Sequence, residues 1–215
     1  PGQGFQSERP GMSQGRQLGV MIHKERIGFN PDGFDLGYAL ALTNGFTRGL
    51  ALNDNDRFAG FARLTGFYGQ HLLVNVAGFT DTQTVGDLPN LFDEDVKGVE
   101  FSVRFMYEGL DLEAQVLYEN RQFETSGQDD VNALGGHAQF AYTLWGITLG
   151  YRFAAYDPNT SDLDNDDRVI EHTVALNYFV PNMPLRFMLN GTVVQEQGGR
   201  QLNNNRIAFL TQFTF

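Results

Sequence analysis

The chain has 215 residues, of which 41% are hydrophobic and 13% aromatic, with 25 Gly and no Cys. Its net charge of -11 excludes a general nucleic-acid binder, and the absence of Cys excludes a disulfide framework and thiolate metal sites. No run approaches the roughly 18 apolar residues of a spanning helix, while a mean hydropathy of -0.30 still suits a membrane β-barrel, whose strand faces alternate and average out.

Pro1–Gln14 is rich in Gly, Pro, Ser and Gln and reads as loop. Arg16–Lys24 sets Leu18, Val20 and Ile22 against Gln17, Gly19, Met21 and His23, the period of a strand. Asn30-Pro-Asp-Gly33 is a turn signal. Phe34–Thr43 sets Leu36, Tyr38, Leu40 and Leu42 against Asp35, Gly37, Ala39, Ala41 and Thr43. After a polar loop at 44–56, Arg57–Phe67 places Arg57, Ala59, Phe61, Arg63 and Thr65 on one side, the least clear alternation of the set. Tyr68-Gly-Gln70 turns into His71–Phe79, and Thr80–Asp95 reads as a long loop.

The second half is cleaner. Val96–Tyr107 sets Val99, Phe101, Val103, Phe105 and Tyr107 against Glu100, Ser102, Arg104 and Met106. Glu108-Gly109 is a tight turn into Leu110–Arg121, with Leu112, Ala114, Val116 and Tyr118 opposite Asp111, Glu113, Gln115 and Glu119. Val131–Leu144, Ile147–Tyr156, Arg168–Phe179 and Leu185–Glu196 repeat the pattern. Trp145-Gly146 and Val180–Pro184 form the short connections among them; 122–130 and 157–167 form the long ones. The final stretch, Asn204–Phe215, sets Ile207, Phe209, Thr211, Phe213 and Phe215 against Arg206, Ala208, Leu210, Gln212 and Thr214.

Short and long connections alternate along these eleven segments, as in an up-and-down meander with turns at one rim and loops at the other. The polar sides carry full charges, too many to bury in a sandwich core. Together these features predict an all-β, antiparallel, up-and-down transmembrane β-barrel, with residues 1–15 as an extracellular loop segment and 16–215 as barrel strands. Short turns are expected in the periplasm and long loops outside, in a bacterial outer membrane. The first visible strand then descends, and strand parity expects an odd number of strands ahead of Pro1, so that the chain would be part of a longer or split barrel.

Glu8-Arg9-Pro10, Gly15-Arg16-Gln17-Leu18-Gly19-Val20-Met21-Ile22-His23, Asp35-Leu36-Gly37-Tyr38-Ala39-Leu40 and Asn44-Gly45 resemble the central part of the phosphate-selective porin O/P family. The terminal strand ending in Phe is similar as well. The resemblance implies a sixteen-stranded homotrimeric porin, of which this chain would be the C-terminal eleven strands. It also implies an anion or phosphate preference.

The candidate pore-lining residues are Arg57, Arg63, Glu100, Arg104, Asp111, Glu113, Arg152, Glu171, Arg186 and Arg206, with Glu119 and Arg121 interleaved. Each either faces the pore and sets its selectivity or pairs across strands and stiffens the wall. Tyr107, Tyr118, Tyr142, Trp145, Tyr178, Phe209, Phe213 and Phe215 are the candidate membrane-anchoring aromatics. Asp162, Asp164 and Asp166 alternate like the start of an EF-hand loop, but the run lacks its Gly and Glu. It reads as a solvated acidic loop, with weak Ca²⁺ or Mg²⁺ bridging to lipopolysaccharide as the alternative. No cofactor is expected, and no Ser/His/Asp site marks a barrel enzyme. The function expected is a passive diffusion porin for ions and small polar solutes, with outer-membrane lipid and lipopolysaccharide as surroundings. The alternative is a non-conducting barrel that acts as sleeve or anchor for a partner such as a cytochrome conduit or a surface assembly.

Overall fold

A strand needs residues that tolerate extended backbone and turns that reverse it, and this chain supplies both in strict succession. The computed structural model describes residues 18–28, 32–45, 57–87, 90–124, 129–161, 167–197 and 204–213. These form eleven strands: β1 (Gly19–Lys24), β2 (Phe34–Thr43), β3 (Ala59–Tyr68), β4 (Leu72–Asp87), β5 (Asn90–Tyr107), β6 (Leu110–Phe123), β7 (Val131–Leu144), β8 (Ile147–Asp157), β9 (Val169–Phe179), β10 (Leu185–Glu196) and β11 (Arg206–Phe213). They make one antiparallel sheet in sequence order, β1 through β11. Among the described residues β1 pairs only with β2 and β11 only with β10, so the sheet is open at both edges. The segment 1–15, Asp162, Asp164, Asp166 and Phe215 lie outside the described residues.

The hairpin turns explain the register. Glu108 and Gly109 have φ of 45° and 86°, and Trp145 and Gly146 have 52° and 80°. Two successive positive φ values define the type I′ turn, whose twist matches that of paired strands. Four of the five short turns are also tied to the next hairpin. The carbonyls of Gly33, His71, Gly109 and Gly146 accept hydrogen bonds from the backbone N–H of Gly69, Met106, Thr143 and Phe179, at 2.7 to 2.8 Å. A Cβ on Gly109 would stand 2.5 Å from the Thr143 carbonyl oxygen. Gly109→Ala should therefore cost at least about 1–2 kcal/mol from backbone conformation alone, read as a lower urea midpoint of unfolding.

One expectation fails here. Thr80–Asp95 is not a loop, because β4 and β5 pair without interruption from Leu72↔Phe105 to Asp87↔Asn90. Its polarity conceals a strand pattern. Thr82 donates to Asp95 at 2.6 Å and Thr84 to Asp93 at 2.8 Å. Such cross-strand polar pairs stabilise a ladder without apolar side chains. β3 pairs with β4 only as far as Thr80 and β6 with β5 only as far as Glu94, so beyond Gln83 and Glu94 this hairpin projects as a two-stranded ribbon.

Burial is inverted relative to a water-soluble protein. The buried strand side chains are Asp35, Ala59, Thr65, Asp81, Gln83, Glu94, Val96, Glu119, Ala133 and Thr192. By strand parity all of them belong to the polar face. The large apolar side chains of the opposite face are exposed along its length, among them Val99, Phe101, Leu149, Val174 and Ile207. All contacts between elements join sequence neighbours, so no second layer packs on either face among the described residues. The apolar side is bounded toward the long-loop end by Thr80, Lys97, Asn120, Asn132, Asp157, Arg168 and Gln195. The apolar run on a strand such as β5 or β6 is thus about nine residues, the length that crosses a bilayer at the usual strand tilt.

Candidate functional site

The polar face carries a belt that crosses the sheet at right angles to the strands. One register row runs Arg104, Glu113, Gln139, Arg152, Thr173, Thr192 and Arg206. The adjacent row, two residues nearer the long loops, holds Thr65, Asn75, Ser102, Gln115, His137 and Glu171. Register places these side chains side by side because residues two apart on a strand share a face.

Within the belt Arg104 grips Asp111 with both ends of its fork. Nε donates to Oδ1 at 2.9 Å and Nη2 to Oδ2 at 2.7 Å. Glu113 Oε2 lies 3.9 Å from Arg104 Nε, and Glu113 Oε1 lies 3.2 Å from His137 Nε2. Thr65 donates to Asn75 at 2.7 Å, and Asn75 to Ser102 at 3.1 Å, which extends the network across β3, β4 and β5. Arg206 reaches Glu171 at 3.7 Å. Most of these side chains are partly exposed, so each ion pair contributes only about 0–1 kcal/mol. Their effect is on the local field more than on stability. Arg104, Arg152 and Arg206 face Asp111, Glu113 and Glu171, which leaves the belt near electrical balance.

The remaining expected site residues separate. Among the described residues no ion pair joins Arg63, Arg152 or Glu100. Arg63 and Glu100 flank Ala77 in one register row and line a hollow of about 460 Å³ with Phe61 and Phe79. Arg186 sits toward the short turns with its guanidinium 4.7 Å from the Phe179 ring centre. Arg57 departs from expectation. It precedes β3, and its guanidinium meets Thr82, Asp95 and Glu124, residues on the apolar side of the sheet beyond its apolar run. Arg57 is therefore not part of the polar-face set.

Sequence reading missed Glu94, because it fell in the supposed loop. Glu94 and Glu119 flank Arg121, whose Nε donates to Glu119 Oε1 at 2.6 Å and stands 3.8 Å from Glu94 Oε1. Both carboxylate side chains are only 1% exposed, making this the most buried ion cluster among the described residues. Arg26 was also missed; its guanidinium lies 4.2 Å from the Phe67 ring centre. It follows β1 in a stretch with no strand alternation to flag it.

Aromatic residues gather at the short-turn end. Tyr107, Tyr142, Trp145, Tyr178 and Phe213 lie there, together with Phe34 and Tyr68, which the sequence reading did not single out. All are exposed, Trp145 at 88%. Phe209 lies four residues up β11, in the middle of the apolar run, rather than at a rim. Tyr118 marks the opposite boundary, donating to Asn132 at 2.6 Å. No protein-family model and no curated protein matches this chain.

Proposed function

We propose that the sheet is the wall of an outer-membrane β-barrel pore that passes ions and small polar solutes by diffusion. The observation that carries this reading is the inverted burial: charged and hydroxyl side chains are sheltered, while a band of large apolar side chains is exposed. Water on one face and lipid on the other meet both demands at once. The aromatic cluster at the short-turn rim fits an interfacial girdle, with those turns in the periplasm and the long loops outside. In hydrocarbon every unpaired backbone group costs several kcal/mol. Among the described residues the outer edges of β1 and β11 are unpaired, and in a membrane wall they would need backbone partners such as a larger closed barrel of the porin O/P kind, assembled as a trimer, would contain.

The balanced belt and the acidic cluster at Glu94 and Glu119 favour weak selectivity over strong anion preference. The test is conductance in planar bilayers with a salt gradient. The purified protein should open stable channels with a reversal potential near zero. Arg152→Glu, which changes a cation without an ion-pair partner among the described residues, should move the reversal potential toward cation preference. A protein that inserts but never conducts would instead support the sleeve or anchor reading.

A further inference from the structure

Resting on the membrane reading above, we propose that the apolar side of β6–β9 holds one phosphate-bearing glycolipid of the outer leaflet, the lipid A class. The apolar face is indented there by about 670 Å³. Register explains the hollow. Val116 on β6, Gly136 on β7, Ala155 on β8 and Ile170 on β9 form one row, so two small residues lie between two bulky ones. Phe153 closes the side nearer the short turns. At Gly136 and Ala155 the wall recedes by the depth of a side chain.

The occupant is identified by what stands at the top of the indentation. Arg168 lies at the long-loop boundary of the apolar run and lines the same hollow. Its side chain is 51% exposed, and Nη2 makes a 3.3 Å contact with Asp157 Oδ2. A guanidinium has five N–H donors, so that single contact leaves capacity for a phosphate oxygen, which Arg recognises through paired donors. Asp157, 19% exposed, occupies one end of the fork and leaves the other donors of the half-exposed guanidinium open to a ligand. An apolar trough beneath a cation at headgroup height is complementary to an acyl chain beneath a phosphate. A second copy of the chain would more naturally cover an apolar patch without a cation at its rim.

The experiment is native mass spectrometry of the protein released from vesicles of phosphatidylcholine containing either a diphosphorylated lipid A or phosphatidylglycerol. The wild-type protein should retain one lipid A. Arg168→Ala removes a charge-assisted contact, and Ala155→Leu fills the trough; each should lower retention by about tenfold. Ala155→Leu keeps the face apolar, and its insertion is checked by heat-modifiable migration before retention is read. Equal retention by both variants overturns the proposal, as does equal retention of phosphatidylglycerol by the wild type. A variant that changes the oligomer instead of lipid retention also overturns it, in favour of a protein contact. If the wild type fails to enter vesicles at all, the membrane reading itself fails; if it enters and retains no lipid, only this site does.

Discussion

Val174→Arg should destabilise the folded protein in lipid by about 2–4 kcal/mol, the cost of a cation at mid-depth on the lipid face of a barrel. Val174 is 53% exposed and sits midway along the apolar run of β9, between Tyr151 on β8 and Gly191 on β10. In water the same change on an exposed side chain would fall within about 0.5 kcal/mol. The substitution therefore asks what solvent that face meets. Ala175→Arg, one residue along and on the polar face beside Gly150 and Asn190, is the control and should cost much less. The single Trp, at position 145, reports unfolding by urea in vesicles. A neutral Val174→Arg would remove the membrane reading, whatever the rest of the sheet suggests.

Arg121→Ala should be of similar or larger effect, about 3–5 kcal/mol, because it removes the guanidinium from between two buried carboxylates. Glu94 and Glu119 flank this guanidinium, and their side chains are only 1% exposed. Neither can turn to water without opening the wall between β5 and β6. The second variant separates charge from packing. Adding Glu94→Gln and Glu119→Gln to Arg121→Ala removes the unbalanced carboxylates and should recover most of the loss. If the triple variant is as unstable as the single one, the arginine acts through its packed stem and not through charge. Arg104→Ala would be milder, since its partners Asp111 and Glu113 are part-exposed and water can hydrate them.

Most of the strand order was legible because period-two alternation and turn chemistry point the same way. Glu108-Gly109 and Trp145-Gly146 sit at the ends of clean alternating runs, and the structure places tight turns at both. The charged residues Arg104, Asp111 and Glu113 were assigned to one face by parity alone, and register then brought them within contact. What sequence could not supply was distance across strands. Nothing in the spacing of Glu94, Glu119 and Arg121 says that they meet, because contact depends on the pairing of β5 with β6. The β4–β5 ribbon was hidden for a different reason: Thr and Asp pair across a ladder by hydrogen bonds, and their polarity resembles that of a loop. Arg57 shows the limit of parity, which holds inside a strand but not two residues ahead of one.

The four turn carbonyls that accept hydrogen bonds from the following hairpin bear on how the protein assembles. A hairpin whose turn is completed only by its successor is not an independent module. Each newly formed pair leaves one acceptor waiting at the rim, and the next pair to arrive fills it. Assembly in that geometry proceeds as a zipper with a growing end, through contacts that all join strands consecutive in the chain. A lesion at one turn would arrest growth at that strand and leave the strands already joined intact. Shortened intermediates of defined length, ending at successive hairpins, are the species such an assembly would accumulate.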